Sequence, residues 1–203
     1  MVLVGIPHAM AGPRACPGLP PRTSIGMRII ALWCCVLLLT ASEIDGVVVP
    51  ATATVDGQVL ALRGADLLRW KWIVKIYVAA CWLPAGAVDP VMAAPKRLAF
   101  TYRREFSAAD LIKATNSTIV AGLTEAEQVA LAPALARWNA GYPAVVAGDH
   151  LVIDHLTDGT AVLSVNGVEL VRVTDPAFAR ALCAIWLGPK TFDTDLRAAL
   201  IGG

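Results

Sequence analysis

The run Trp70-Lys71-Trp72-Ile73-Val74-Lys75-Ile76-Tyr77-Val78-Ala79-Ala80-Cys81-Trp82-Leu83 decides how the rest of the chain is read. Every second residue from Trp70 to Trp82 is apolar, including Val74, Ile76, Val78 and Ala80. The other parity starts with Lys71, Ile73 and Lys75 and turns apolar at Tyr77, Ala79, Cys81 and Leu83. A helix would scatter the tryptophans around its circumference, whereas a strand places them on one side. The pattern predicts one long strand from Trp70 to Leu83, with its tryptophan face buried throughout and its second face covered toward the C-terminal end.

Upstream, Ala51 to Val55 and Gln58 to Leu62 flank Asp56-Gly57, a pair that suits the two positive-φ positions of a tight hairpin. Arg63-Gly64-Ala65-Asp66 reads as a second turn. Downstream, Lys96 to Tyr102 alternates again, with Leu98, Phe100 and Tyr102 on one side. Ser107-Ala108-Ala109-Asp110 has the form of a capping box, opening a helix to Gly122 with Leu111, Thr115, Thr118 and Ile119 on its inner stripe. Gly122 suits a left-handed stop. Thr124-Glu125-Ala126-Glu127 opens a second helix to about Asn139, which Pro133 is expected to kink or split. His150 to Leu156, Thr160 to Val165 and Val168 to Val173 then form an antiparallel meander, with turns at Asp158-Gly159 and Asn166-Gly167. A closing helix after Asp175-Pro176 and a short one from Thr194 to Leu200 complete an α+β domain: a large, mainly antiparallel sheet with helices layered on one face.

The N-terminus reads differently. Met27-Arg28 followed by the apolar run Ile29–Leu39 and by Thr40-Ala41-Ser42 is laid out as a secretory signal, so residues 27–42 are expected to be cleaved near Ser42. Residues 1–26 are rich in Gly and Pro and precede a better start at Met27, which marks them as an over-long extension of the reading frame. The domain proper is then 47–203, and the expected location is periplasmic or secreted. Removal of the signal leaves Cys81 and Cys183; both sit in apolar stretches, so a disulfide and two buried thiols are open alternatives.

The chain has 203 residues, 57% hydrophobic, with 16% charged residues and a formal net charge of +1. The longest basic run is Arg103-Arg104, so a nucleic-acid partner is not expected. His150 and His155 are five apart on one strand and point to opposite faces, and no cysteine cluster joins them, so no metal is expected. Neither a Gly-x-Ser-x-Gly elbow nor a phosphate loop is present, and no cofactor is implied. The residues left as site candidates are polar groups in apolar surroundings: Arg69, Tyr77, Lys113, Asn116 and Thr194.

Gly64-Ala65-Asp66-Leu67-Leu68-Arg69 and the following Lys71–Leu83 strand resemble the chalcone-isomerase-like family. Pro95-Lys96-Arg97-Leu98, Gly148-Asp149, Asp158-Gly159-Thr160, Asn166-Gly167 and Ile185-Trp186-Leu187-Gly188 are similar to its bacterial exported branch, and the likeness spans about Val55 to Gly202. The resemblance implies an open-faced sandwich with a ligand cleft between sheet and helices. It places Arg69 where the plant enzymes hold the developing oxyanion, and Tyr77 where they carry a threonine. Their tyrosine and lysine have no counterpart: those positions fall on Phe106 and Ala109, or on Ala109 and Ile112, according to register. Thr194 stands near a retained hydroxyl. Other branches of the fold bind fatty acids, with the arginine on the carboxylate. The expectation is therefore a non-catalytic exported protein that binds a small apolar carboxylate such as a fatty acid, oriented by Arg69. A partner-binding periplasmic protein and a chalcone–flavanone-type isomerase are the alternatives.

Overall fold

The computed structural model describes residues 41–202. The proposed signal and the extension before it lie outside the described residues, apart from Ala41 and Ser42. The described elements are β1 (Ser42–Ile44), β2 (Val47–Val49), β3 (Thr52–Val55), β4 (Gln58–Trp70), β5 (Val74–Leu83), β6 (Lys96–Tyr102), α1 (Ala108–Gly122), α2 (Glu125–Asn139), β7 (His150–His155), β8 (Thr160–Val165), β9 (Val168–Thr174), α3 (Pro176–Leu187) and α4 (Thr194–Ile201). Strands β3 to β9 form one seven-stranded sheet in chain order, antiparallel throughout, and β1–β2 is a separate hairpin.

Period-two alternation sends the side chains of the central strands β4 to β7 to two cores. One holds Tyr77, Ala79, Cys81 and Leu83 of β5 together with residues of all four helices, such as Leu111, Trp138, Leu182 and Leu200. The other holds Val78, Ala80 and Trp82 with Val49, Val55 and Leu60, and no helical residue. The helices therefore layer on one face, and the β1–β2 hairpin shields the other. The Trp82 indole donates to the Pro50 carbonyl at 2.9 Å, fastening the end of that hairpin to the sheet.

The expected Trp70–Leu83 strand is two strand segments and a turn. Trp70 ends β4, Val74 opens β5, and Lys71 and Trp72 take positive φ (50° and 64°) between them. Trp70 and Trp72 are 58% and 85% exposed, so the tryptophan face is buried only from Val78 on. The pattern misleads because the residues at the tip are apolar and continue the alternation.

Arg63–Asp66 is likewise no turn: it lies inside β4. Gly64 serves a close approach instead. A Cβ there would stand 1.8 Å from the Ala199 carbonyl oxygen of α4, so only glycine lets that helix seat on the strand. Both capping boxes form, Ser107 with Asp110 and Thr124 with Glu127. Gly122 is the last residue of α1 in place of a left-handed cap, because Leu123 leaves the helix in extended conformation directly into the cap of α2. Pro133 sits inside an unbroken α2, on the exposed side of the helix. Cys81 and Cys183 are free and buried.

Candidate functional site

Between the sheet and helices α1 and α3 the packing leaves a pocket of about 390 Å³, within the roughly 300–1,000 Å³ usual for small-molecule sites. Its floor is Tyr77, Phe100 and Tyr102 from the paired strands β5 and β6, with Leu151 and Ile153 of β7. The roof is Leu111, Ala114, Thr115 and Thr118 from α1 and Ile185 and Trp186 from α3. The aromatic rings of the floor pack edge to face. Tyr77 meets Phe100 at 5.1 Å between centroids with planes at 78°, and Tyr102 at 5.7 Å and 76°.

Tyr77 is 8% exposed, and its hydroxyl accepts a hydrogen bond from the Trp186 indole at 3.0 Å. Having accepted one proton, that oxygen keeps its own to donate. Burial pushes the Tyr77, Tyr102 and Tyr142 hydroxyls well above the usual tyrosine range, so all three stay neutral. Thr115 and Tyr142 share a hydrogen bond of 2.9 Å at the wall. Asp110 is the one charged residue of the lining, and its carboxylate is occupied by the backbone amide and hydroxyl of Ser107.

A second, outer cleft of about 700 Å³ shares Leu68, Ile76, Phe106, Asp110 and Phe192 with the inner pocket. Those five residues are the mouth. Beyond them the outer cleft carries Arg69, Lys71 and Arg104 with Glu105 and Asp193. Asp193 caps α4, accepting from the Leu196 amide at 2.8 Å. The apolar interior thus opens onto a rim where three cations stand among three carboxylates, two of which, Asp110 and Asp193, are held in helix caps.

The five sequence candidates separate. Tyr77 is inside the pocket and Arg69 is on the outer rim. Lys113 is exposed on α1 and lines neither space, and exposed Thr194 is the first residue of α4, behind the Asp193 cap. Asn116 faces α2, its Oδ1 accepting from Asn139 at 2.9 Å. Sequence reading did not single out Trp186, Tyr142 or the mouth residue Phe192 as site groups. The alternation of Leu98, Phe100 and Tyr102 and the inner stripe of α1 did mark the two walls.

A family described as chalcone isomerase-like matches residues 41–202. No curated protein matches the chain. Among solved structures, the fatty-acid binding protein of Arabidopsis thaliana superposes with a TM-score of 0.57 at 10% sequence identity, covering 80% of this chain and 95% of that one. At that identity the likeness is one of fold.

Proposed function

The chain belongs to the chalcone isomerase-like family, and from that premise we propose that it is an exported, non-catalytic carrier of a small apolar carboxylate such as a fatty acid. The observation that carries this reading is an apolar pocket whose mouth opens directly onto Arg69. The tail lies against Tyr77, Phe100, Leu111 and Ile153, where each buried methylene contributes about 0.8 kcal/mol. The carboxylate stays at the rim, where the guanidinium offers two parallel donors. A charged head placed deeper would meet neutral hydroxyls only and lose its hydration. Export is supported by the Met27-Arg28 start and the Ile29–Leu39 run, and N-terminal sequencing of the protein recovered from its native compartment tests it.

Ring closure of a chalcone needs a proton delivered as well as an anion stabilised. Phe106 stands at the mouth without a hydroxyl, and Tyr77 is a poor acid because burial holds its proton. This favours binding over turnover.

Titration with a fluorescent polyene fatty acid, cis-parinaric acid, tests the assignment of Arg69, with a long-chain alcohol as competitor. Arg69 is exposed, so its contribution is discounted to about 1 kcal/mol. Arg69→Ala should weaken the acid roughly fivefold and leave the alcohol unchanged. Equal affinity of the variant and the native chain for the acid would remove Arg69 from the site.

A further inference from the structure

The turn between β4 and β5 departs from the other tight turns of the chain. Asp45-Gly46, Asp56-Gly57 and Asn166-Gly167 fill paired positive-φ positions with residues that tolerate them. Here those positions hold Lys71 and Trp72, and the Ile73 amide closes the turn on the Trp70 carbonyl at 3.3 Å. A bulky non-glycine residue held in the left-handed region is a conformation to be explained by what it presents. It presents Trp72 and Ile73, 85% and 82% exposed, directly after Trp70 and Lys71, which line the outer cleft together with the half-exposed Phe192 of the pocket mouth.

We propose that this tip docks on an anionic lipid bilayer and sets the pocket mouth at the membrane surface. Tryptophan is the side chain best suited to the headgroup level, apolar over its rings with one donor to place in the wet zone. The cations at the tip itself suit phosphate-bearing lipids: Arg69 and Lys71 flank Trp70 in the chain. The outer cleft's three carboxylates lie on other segments, Asp110 and Asp193 held in helix caps and Glu105 beside Arg104. Lys71 lies over the Trp70 ring at 4.4 Å from its centroid, so cation and aromatic face leave the protein together. Lys75 and Arg103 take no part, both being paired with Asp45. A protein partner fits less well, since a stable interface takes about 800 Å² from each side and this is a three-residue tip. The attachment is peripheral, because no helix among the described residues is long and apolar enough to cross a membrane. The proposal extends the carrier reading: an apolar acid passes between bilayer and pocket through Leu68 and Phe192 without crossing water.

The apolar run Ile29–Leu39 adds its own lipid affinity to the full chain, so the readout must be local to the tip. Quenching of tryptophan emission by brominated lipid supplies that, with Trp72→Phe as the spectroscopic blank. The native chain on phosphatidylcholine/phosphatidylglycerol vesicles should show a quenched component that Trp72→Phe lacks and that shrinks on pure phosphatidylcholine. Trp72→Asn/Ile73→Ser, with a residue suited to positive φ at the turn, should slow transfer of cis-parinaric acid from anionic vesicles at least fivefold. Its affinity for the acid in vesicle-free buffer should stay within twofold. Identical quenching of the native chain and Trp72→Phe, or an unchanged transfer rate, overturns docking; so does tip-dependent self-association without quenching. If neither protein binds the acid in buffer, the carrier reading fails, while the quenching result still decides docking.

Discussion

Replacing Tyr77 by phenylalanine removes one oxygen from the pocket wall and leaves the Trp186 indole proton without its acceptor at 3.0 Å. A buried donor stripped of its partner costs about 1–3 kcal/mol. Trp186 is only half-buried and borders the pocket, so a water can enter and take the proton, which places the loss near the lower end, about 1 kcal/mol. Trp186→Phe costs more, because it also removes indole packed on Phe100 at 4.6 Å. The bond itself is isolated by combining them. The double variant should be less destabilised than the sum of the singles by about 0.5–1.5 kcal/mol. Urea unfolding of all four proteins at pH 7, with constant denaturant slopes, measures this coupling. Additivity to within about 0.3 kcal/mol would refute the bond, and with it the claim that the Tyr77 proton is left free to face a ligand.

Gly64→Ala forces a Cβ against the Ala199 carbonyl oxygen at 1.8 Å and should lower stability by about 2–3 kcal/mol in urea titration; a loss under about 1 kcal/mol would mean α4 is not seated on β4. Burial, reinforced by the neighbouring charges of Lys96 and Arg180 and opposed by Asp158, holds the His155 pKa down at about 4. The folded state then resists a proton that the unfolded chain accepts near 6.5, so stability present above pH 6.5 is lost as pH falls toward 4, by at most about 3 kcal/mol. His155→Leu should flatten that part of the urea-midpoint profile; an unchanged slope would contradict the assignment. Burial pushes the Cys81 thiol up to about 12 and also raises Cys183, so iodoacetamide at pH 8 should modify neither in the native protein and both in urea.

Where local chemistry suffices, the sequence is a reliable guide. Asp56-Gly57 and Asn166-Gly167 make their turns, and the Ser107 and Thr124 boxes start their helices at the expected residues. It fails where a residue answers to a distant partner or to solvent. Gly64 reads as a turn because nothing nearby reveals that Ala199 will lie against it. Pro133 reads as a break, yet the carbonyl it frees is that of Val129, whose side chain is exposed and whose environment is wet, so α2 continues. The turn at Lys71-Trp72 is hidden because exposed apolar residues mimic a buried face. The site was half visible for the same reason. Tyr77 and the walls follow from periodicity, whereas the space between them, and the placing of Lys113 and Asn116 away from it, depend on how α1 lies over the sheet.

Native mass spectrometry of the chain incubated with palmitate, beside an Ala114→Trp variant that fills the pocket from its roof, tests the carrier reading most directly. The account predicts one palmitate per native chain and none on the variant, with both proteins folded by circular dichroism. A native chain that stays empty, or a variant that binds palmitate equally well, would contradict it.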